Sequence, residues 1–251
     1  ITSEISFKST VENNPLKDWN MIYVPYCDGS IHAGDNQVEY DGSMHYFWGL
    51  RNTSAAVSLM QELYPNPEKI LVTGASAGGF GTYIGWALVK QQFMDATTYI
   101  LNDSGVGFWN PDDLATWDTI KESWQIDPFI PDECTRCEGP VLTYLYETFM
   151  EYDPELRIGM FSSYYDGIIS ETFLGMTPED FKSTLMTITD NIHAAYPDRF
   201  KRFFIDTNTH TTYEMSFLLP EGPNYEINGT SMFEWIGHLV NEDPAWADLL
   251  E

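Results

Sequence analysis

The residues most able to do chemistry lie in Gly74-Ala75-Ser76-Ala77-Gly78, a G-x-S-x-G pattern placed directly after an apolar run and before a helical pattern. In that context the pattern predicts a sharp strand-to-helix turn that lifts Ser76 out of the sheet edge as a nucleophile. Small neighbours are needed because larger side chains would collide with the strand or the helix. The N–H of Ala77 is then a candidate oxyanion donor, helped by the positive end of the following helix. A serine hydroxyl at its ordinary pKa is a weak nucleophile, so a base and an orienting acid must be found elsewhere in the chain. In folds carrying this turn they follow in the order serine, acid, histidine. Asp166, in Phe161-Ser-Ser-Tyr-Tyr-Asp-Gly167, sits just past a strand-like run and is the candidate acid, with Asp103 in reserve. His210, in a loop of small polar residues after the last such run, is the candidate base. His193 and His238 fall within helical patterns, and His32 and His45 precede Ser76, although His32 is a candidate pocket residue.

These residues need a scaffold, and the pattern of apolar positions describes one. Short β-rich runs at Met21 to Val24, Ile70 to Thr73, Thr98 to Leu101, Ile158 to Ser162 and Arg202 to Ile205 read as buried strands. Helical spacing is found over Asn52 to Leu63, with Asn52 or Thr53 as cap, and over Gly78 to about Gln92. A third helix opens at Thr177-Pro178-Glu179-Asp180, where a hydroxyl cap, a first-turn proline and two carboxylates suit a helix N-terminus. A fourth runs over Thr230 to Val240. Strands alternating with helices predict an α/β class chain, with a mostly parallel sheet and helices on both faces. The stretch from about 104 to 153 is too long for a simple crossover and reads as an inserted helical cap within one domain over residues 1–251. Its aromatic residues, Phe108, Trp109, Trp117 and Trp124, suit an apolar acyl or aryl group or the apolar face of a sugar. Phe108 and Trp109 are candidate substrate contacts.

Composition narrows the function. The 251 residues carry 12 Lys and Arg against 38 Asp and Glu, a net charge of −26, which repels phosphate backbones and so excludes nucleic-acid partners. Hydrophobic residues at 43% are enough for a core, so the acidity does not signal disorder. No apolar run is long enough to span a bilayer, and no basic-plus-apolar leader opens the chain. Three cysteines cannot furnish a four-thiolate metal site, and neither metal-ligand spacing nor a phosphate or dinucleotide loop is present, so no metal or cofactor is expected. Cys134 and Cys137 flank a two-residue loop and suit a small structural disulfide. Cys27 is then a buried thiol or half of a bridge to another segment. A carboxylate-rich surface and a disulfide together fit a secreted or periplasmic protein.

Asn14-Pro15, Asp18-Trp19-Asn20, Val24-Pro25-Tyr26-Cys27-Asp28-Gly29-Ser30 and Gly34-Asp35 resemble blocks of the pectin acetylesterase family, which includes the Notum carboxylesterases. Gly74 to Gly79, Asn102-Asp103-Ser104-Gly105 with Phe108, and Ser163-Tyr164-Tyr165-Asp166 are similar to its later blocks, in the same order. The resemblance runs from about Asn14 to His210. It implies an α/β-hydrolase-like fold, no cofactor, and hydrolysis of small-molecule or carbohydrate esters by Ser76, Asp166 and His210, with Tyr26 and His32 near the substrate. The family's Gly-rich, Trp-containing upstream loop has no counterpart in Ile1 to Lys17, so a segment preceding this sequence, or a donor from elsewhere, is expected to complete the oxyanion hole. A cysteine often found beside the family histidine is also absent near His210. Two other readings stay open: an esterase of hydrophobic, lipase-like or polyester substrates, and a non-catalytic binding protein on a hydrolase fold.

Overall fold

Apolar runs too short for helices become strands when they bury side chains on both faces, and four of the five expected runs do so in the computed structural model. The structure describes residues 13–137, 139–211 and 225–251. Strands β3 (Lys69–Ala75), β4 (Thr97–Asp103), β5 (Arg157–Ser163), β6 (Phe200–Ile205) and β7 (Leu249–Leu250) form a five-stranded sheet in that order, and every neighbouring pair is parallel. Parallel pairing puts the C-terminal ends of β3 to β6 along one sheet edge, so loops from different strands can converge there.

Alternation along the strands assigns the two layers. Ile100, Ile158, Met160 and Phe204 face α2 (Ala77–Gln92), α4 (Leu145–Tyr152) and α5 (Pro178–Ala195), packing with Phe80, Tyr83, Phe149, Phe181 and Leu185. Tyr99, Leu101, Phe161, Phe203 and Ile205 point the other way and pack on α6 (Met232–Val240) through Trp235, Ile236 and Leu239. The fold is therefore α/β, with helices on both faces of a parallel sheet, consistent with an α/β-hydrolase-like fold. Helix α1 (Gly49–Leu63) adds Val57 to a smaller cluster with Ile70, Val89 and Phe93.

Local signals explain most boundaries. Thr177 caps α5, its hydroxyl accepting from the N–H of Asp180 at 3.2 Å, and Pro178 opens the helix. Ser231 and Glu234 make a reciprocal capping box that starts α6 at Met232, two residues after the expected start. Helix α1 begins at Gly49, earlier than the expected Asn52, and neither Asn52 nor Thr53 caps it.

Three expectations are corrected. Met21 to Val24 is not a strand: it runs without backbone pairing along a cleft, and Met21 and Tyr23 are exposed. An antiparallel hairpin, β1 (Asn36–Tyr40) and β2 (Ser43–Phe47), stands where no strand was expected. Its turn residues Asp41 and Gly42 have φ of 50° and 76°, the backbone that an Asp-Gly hairpin turn requires. Cys27 is an exposed free thiol rather than a buried one, while Cys134 and Cys137 form the expected disulfide with Cα atoms 5.4 Å apart.

The stretch between β4 and β5 contains α3 (Leu114–Trp124) and α4, and its tryptophans enter the main core. Among the described residues no helix is long and apolar enough to cross a membrane.

Candidate active site

Ser76 separates β3 from α2 and is held at φ 55°, ψ −121°, a left-handed backbone that a non-glycine residue rarely adopts. Its N–H donates to the carbonyl of Asp103 at 2.8 Å, and its own carbonyl accepts from Phe80 at 3.1 Å, so both neighbouring elements fix the turn. Ser76 occupies the N-cap position of α2, yet its hydroxyl makes no capping hydrogen bond. The glycines around it answer a packing need. A Cβ on Gly74 would lie 2.3 Å from the carbonyl oxygen of Gly78, and one on Gly105 would lie 2.1 Å from the carbonyl carbon of Gly79. The helix start and the turn after β4 can meet only without side chains at these points. Ala77 opens α2, so its N–H is among the helix-start donors that have no carbonyl partner within the helix.

Asp166 follows β5 and is fully buried. One carboxylate oxygen accepts from the N–H groups of Ile168 and Ile169 at 3.1 and 3.0 Å, in the π-helical turn Ile168–Phe173. The other lies 2.8 Å from Nδ1 of His210. The loop carrying His210 is laid along the chain after β5: Tyr165 N–H donates to Thr207 O, Gly167 N–H to Asn208 O, and the Ser163 hydroxyl to Thr209 O. The structure thus joins Asp166 to His210 and puts Ser76 at the same sheet edge. Neither the Ser76 hydroxyl nor Nε2 of His210 hydrogen-bonds a described residue. Asp103, the reserve acid, is buried at the end of β4 and accepts from the Ser104 hydroxyl at 2.8 Å.

Among the described residues β3 is the edge strand of its sheet, and its residues line a cleft of about 1150 Å³ that reaches Ser76, Ala77 and Gly78. The segment from Trp19 to Val24 also lines it, as do Val57, Met60 and Val89. Tyr26 and His32 line the same cleft. Burial lowers the pKa of His32, with the Asp28 carboxylate opposing, and burial raises that of Tyr26. Phe108 and Trp109 are elsewhere. Phe108 is 1% exposed and packs against Phe181, and Trp109 is 3% exposed between Phe80 and Trp117, so both are core residues and neither lines the cleft. Their place in a long insertion gave no sign that the insertion folds back into the core. Sequence reasoning also missed the Ile168 and Ile169 donors to Asp166, for which Asp166-Gly167 gives a turn signal and nothing more. Among the described residues, no three His, Cys, Asp or Glu side chains converge as they would around a metal ion.

The family model for pectinacetylesterase matches residues 2–135, more than half of the chain. The chain belongs to the pectinacetylesterase family. Two relatives come from Arabidopsis thaliana. Pectin acetylesterase 4 is 26% identical over 112 residues, covering 41% of this chain and 27% of the relative. Pectin acetylesterase 5 is 25% identical over 119 residues, covering 44% and 28%. The matched region therefore spans under a third of those relatives. The family match takes in Tyr26, His32, Ser76 and Ala77 and ends before Asp166 and His210, whose pairing is known from geometry.

Proposed function

We propose that this member of the pectinacetylesterase family is a serine carboxylesterase that removes small acyl groups, acetyl first among them, from a carbohydrate or other small alcohol. The observation that carries this reading is the 2.8 Å pair of a buried Asp166 with His210, at the sheet edge where Ser76 is held in a strained turn with a hydroxyl that no described residue engages. Ser76 Oγ attacks the ester carbonyl while Nε2 of His210 takes its proton, and the oxyanion forms against the N–H of Ala77. Asp166 keeps the proton on Nδ1 and favours the imidazolium as it forms. His210 then returns its proton to the departing alcohol, leaving an acyl-Ser76 ester. Water, deprotonated by His210, releases the acid and restores the serine.

The names of the relatives point to acetyl groups on pectin, but charge argues for a less anionic alcohol. A chain of net charge −26 repels a polyanion unless salt or cations screen it. The Cys134–Cys137 disulfide supports action in an oxidising, extracellular or periplasmic compartment. A second reading has an observation in its favour: Val57, Met60, Leu63 and Val89 line part of the cleft and suit longer, hydrophobic acyl chains.

Hydrolysis of p-nitrophenyl esters from acetate to long acyl chains, by the native chain and by Ser76→Ala, tests both. Turnover that is greatest with acetate and lost in Ser76→Ala supports the proposal, and an optimum at long chains supports the second reading. Turnover that survives in Ser76→Ala overturns the mechanism, and no turnover by the native chain favours a non-catalytic binding role.

A further inference from the structure

His32 is the one histidine lining the Ser76 cleft among the described residues, and its position is built with some effort. Ile31 and His32 have φ of 48° and 65°, two successive non-glycine residues in the left-handed region, which costs energy unless surrounding contacts impose it. Those contacts are present. The Ser30 hydroxyl donates to Asp28 and accepts from the N–H of Gly34 at 3.0 Å, and the N–H of Ile31 donates to the Tyr26 hydroxyl at 3.2 Å. The His32 ring packs 5.2 Å from that of Tyr26 and closes on Gly81, where a Cβ would meet its ring carbons at 3.0 to 3.1 Å. Only 9% of His32 is exposed, and its ring nitrogens hydrogen-bond no described residue. A polar ring that is nine-tenths buried, held in left-handed backbone and lining the Ser76 cleft without a partner among the described residues is poised for a ligand.

Gly81 lies five residues along α2 from Ser76, about 7.5 Å of helix rise. The acyl group is bonded at Ser76 itself, so a contact made where the His32 ring packs, more than one helix turn along α2, falls to the alcohol half of a short-chain ester. Resting on the esterase reading above, we propose that His32 is a specificity residue whose ring hydrogen-bonds a hydroxyl or ring oxygen on the alcohol half of the substrate, with the Tyr26 hydroxyl beside it as a second donor. The favoured substrate is then an ester of a hydroxyl-rich alcohol, in preference to an equally reactive ester of an apolar one.

The test compares His32→Phe, which keeps a ring against Gly81 but has no nitrogen, with His32→Gln, which restores a donor. Each is assayed on p-nitrophenyl acetate and on a monoacetylated methyl hexopyranoside. One lost hydrogen bond predicts a rise in KM for the sugar ester about three- to tenfold larger than for p-nitrophenyl acetate in His32→Phe, with kcat less affected and partial recovery in His32→Gln. Equal losses on both esters, or none on the sugar ester, overturn the proposal and leave His32 a packing residue. Separately, the His32 ring signals of Ser76→Ala are followed by NMR as the sugar ester is added. A shift without turnover by the native chain upholds the contact while the esterase reading fails; turnover without a shift does the reverse.

Discussion

Asp166 uses both carboxylate oxygens for a single purpose: one takes the N–H groups of Ile168 and Ile169, and the other holds Nδ1 of His210 at 2.8 Å. With the carboxylate anchored by main chain, the imidazole has one orientation available, and its Nε2 is the nitrogen left for proton transfer.

Replacing Asp166 by Asn keeps the size and one acceptor but offers His210 an amide where a carboxylate was needed. The expected result is a fall in kcat on the order of a thousandfold or more, because the wrong tautomer is favoured and the imidazolium loses its counter-charge. Circular dichroism and KM measured alongside kcat separate this from unfolding, since a folded variant with near-normal KM shows that chemistry, not binding, was lost.

Gly74→Ala places a Cβ 2.3 Å from the carbonyl oxygen of Gly78, and backbone must move to admit it. The cost expected is about 1–3 kcal/mol of stability, as for other overpacked sites, with a larger relative loss of Ser76 reactivity because the turn itself shifts. Gly78→Ala meets nothing within 4 Å and serves as the contrasting variant by denaturant titration.

At alkaline pH the buried pair Tyr83 and Tyr146, stacked 4.4 Å apart, should limit stability. Burial pushes Tyr146 up to about 12, against the hydrogen bonds from Asn102 and Thr82 that favour its phenolate, and it pushes Tyr83 well above 10. From about pH 10 the unfolded chain releases these protons and the native one does not. Stability therefore falls as pH rises, by about 1.4 kcal/mol per pH unit for each tyrosine until the folded value is reached. Phenolate absorbance for these two should appear with unfolding, and Tyr146→Phe should flatten the decline.

On the acid side His32 works in the opposite sense. Burial lowers its pKa, with the Asp28 carboxylate opposing, so below about 6.5 the unfolded chain binds a proton that the native site resists. Stability contributed by the neutral ring is lost as pH falls, and His32→Phe should show a shallower drop between pH 7 and pH 5 than the native chain.

Four of the five strands of the parallel sheet were legible because each is a short apolar run, whereas the two-residue strand Leu249–Leu250 is too short to show one, and the turn at Ser76 was legible because it demands glycine at fixed spacing. Asp166 and His210 followed from chain order. Met21 to Val24 misled because an apolar run shows extension but not a partner, and here it faces a cleft. The β1–β2 hairpin was missed because most of its side chains are exposed: Val38, Tyr40, Met44 and Tyr46 alternate with polar residues without marking a buried face, and Asp41-Gly42 is its clearest turn signal. Phe108 and Trp109 show the limit for sites: an aromatic residue in an insertion looks the same in sequence whether it meets substrate or core.

The central claim is that Ser76 is a nucleophile activated by His210. A fluorophosphonate, which phosphonylates activated serines, is incubated with the native chain, Ser76→Ala and His210→Ala, and the products are read by intact mass and peptide mapping. One adduct per chain on the peptide containing Ser76, absent in Ser76→Ala and formed far more slowly in His210→Ala, is the predicted result. An adduct on another residue, or equal labelling with and without His210, would contradict the account.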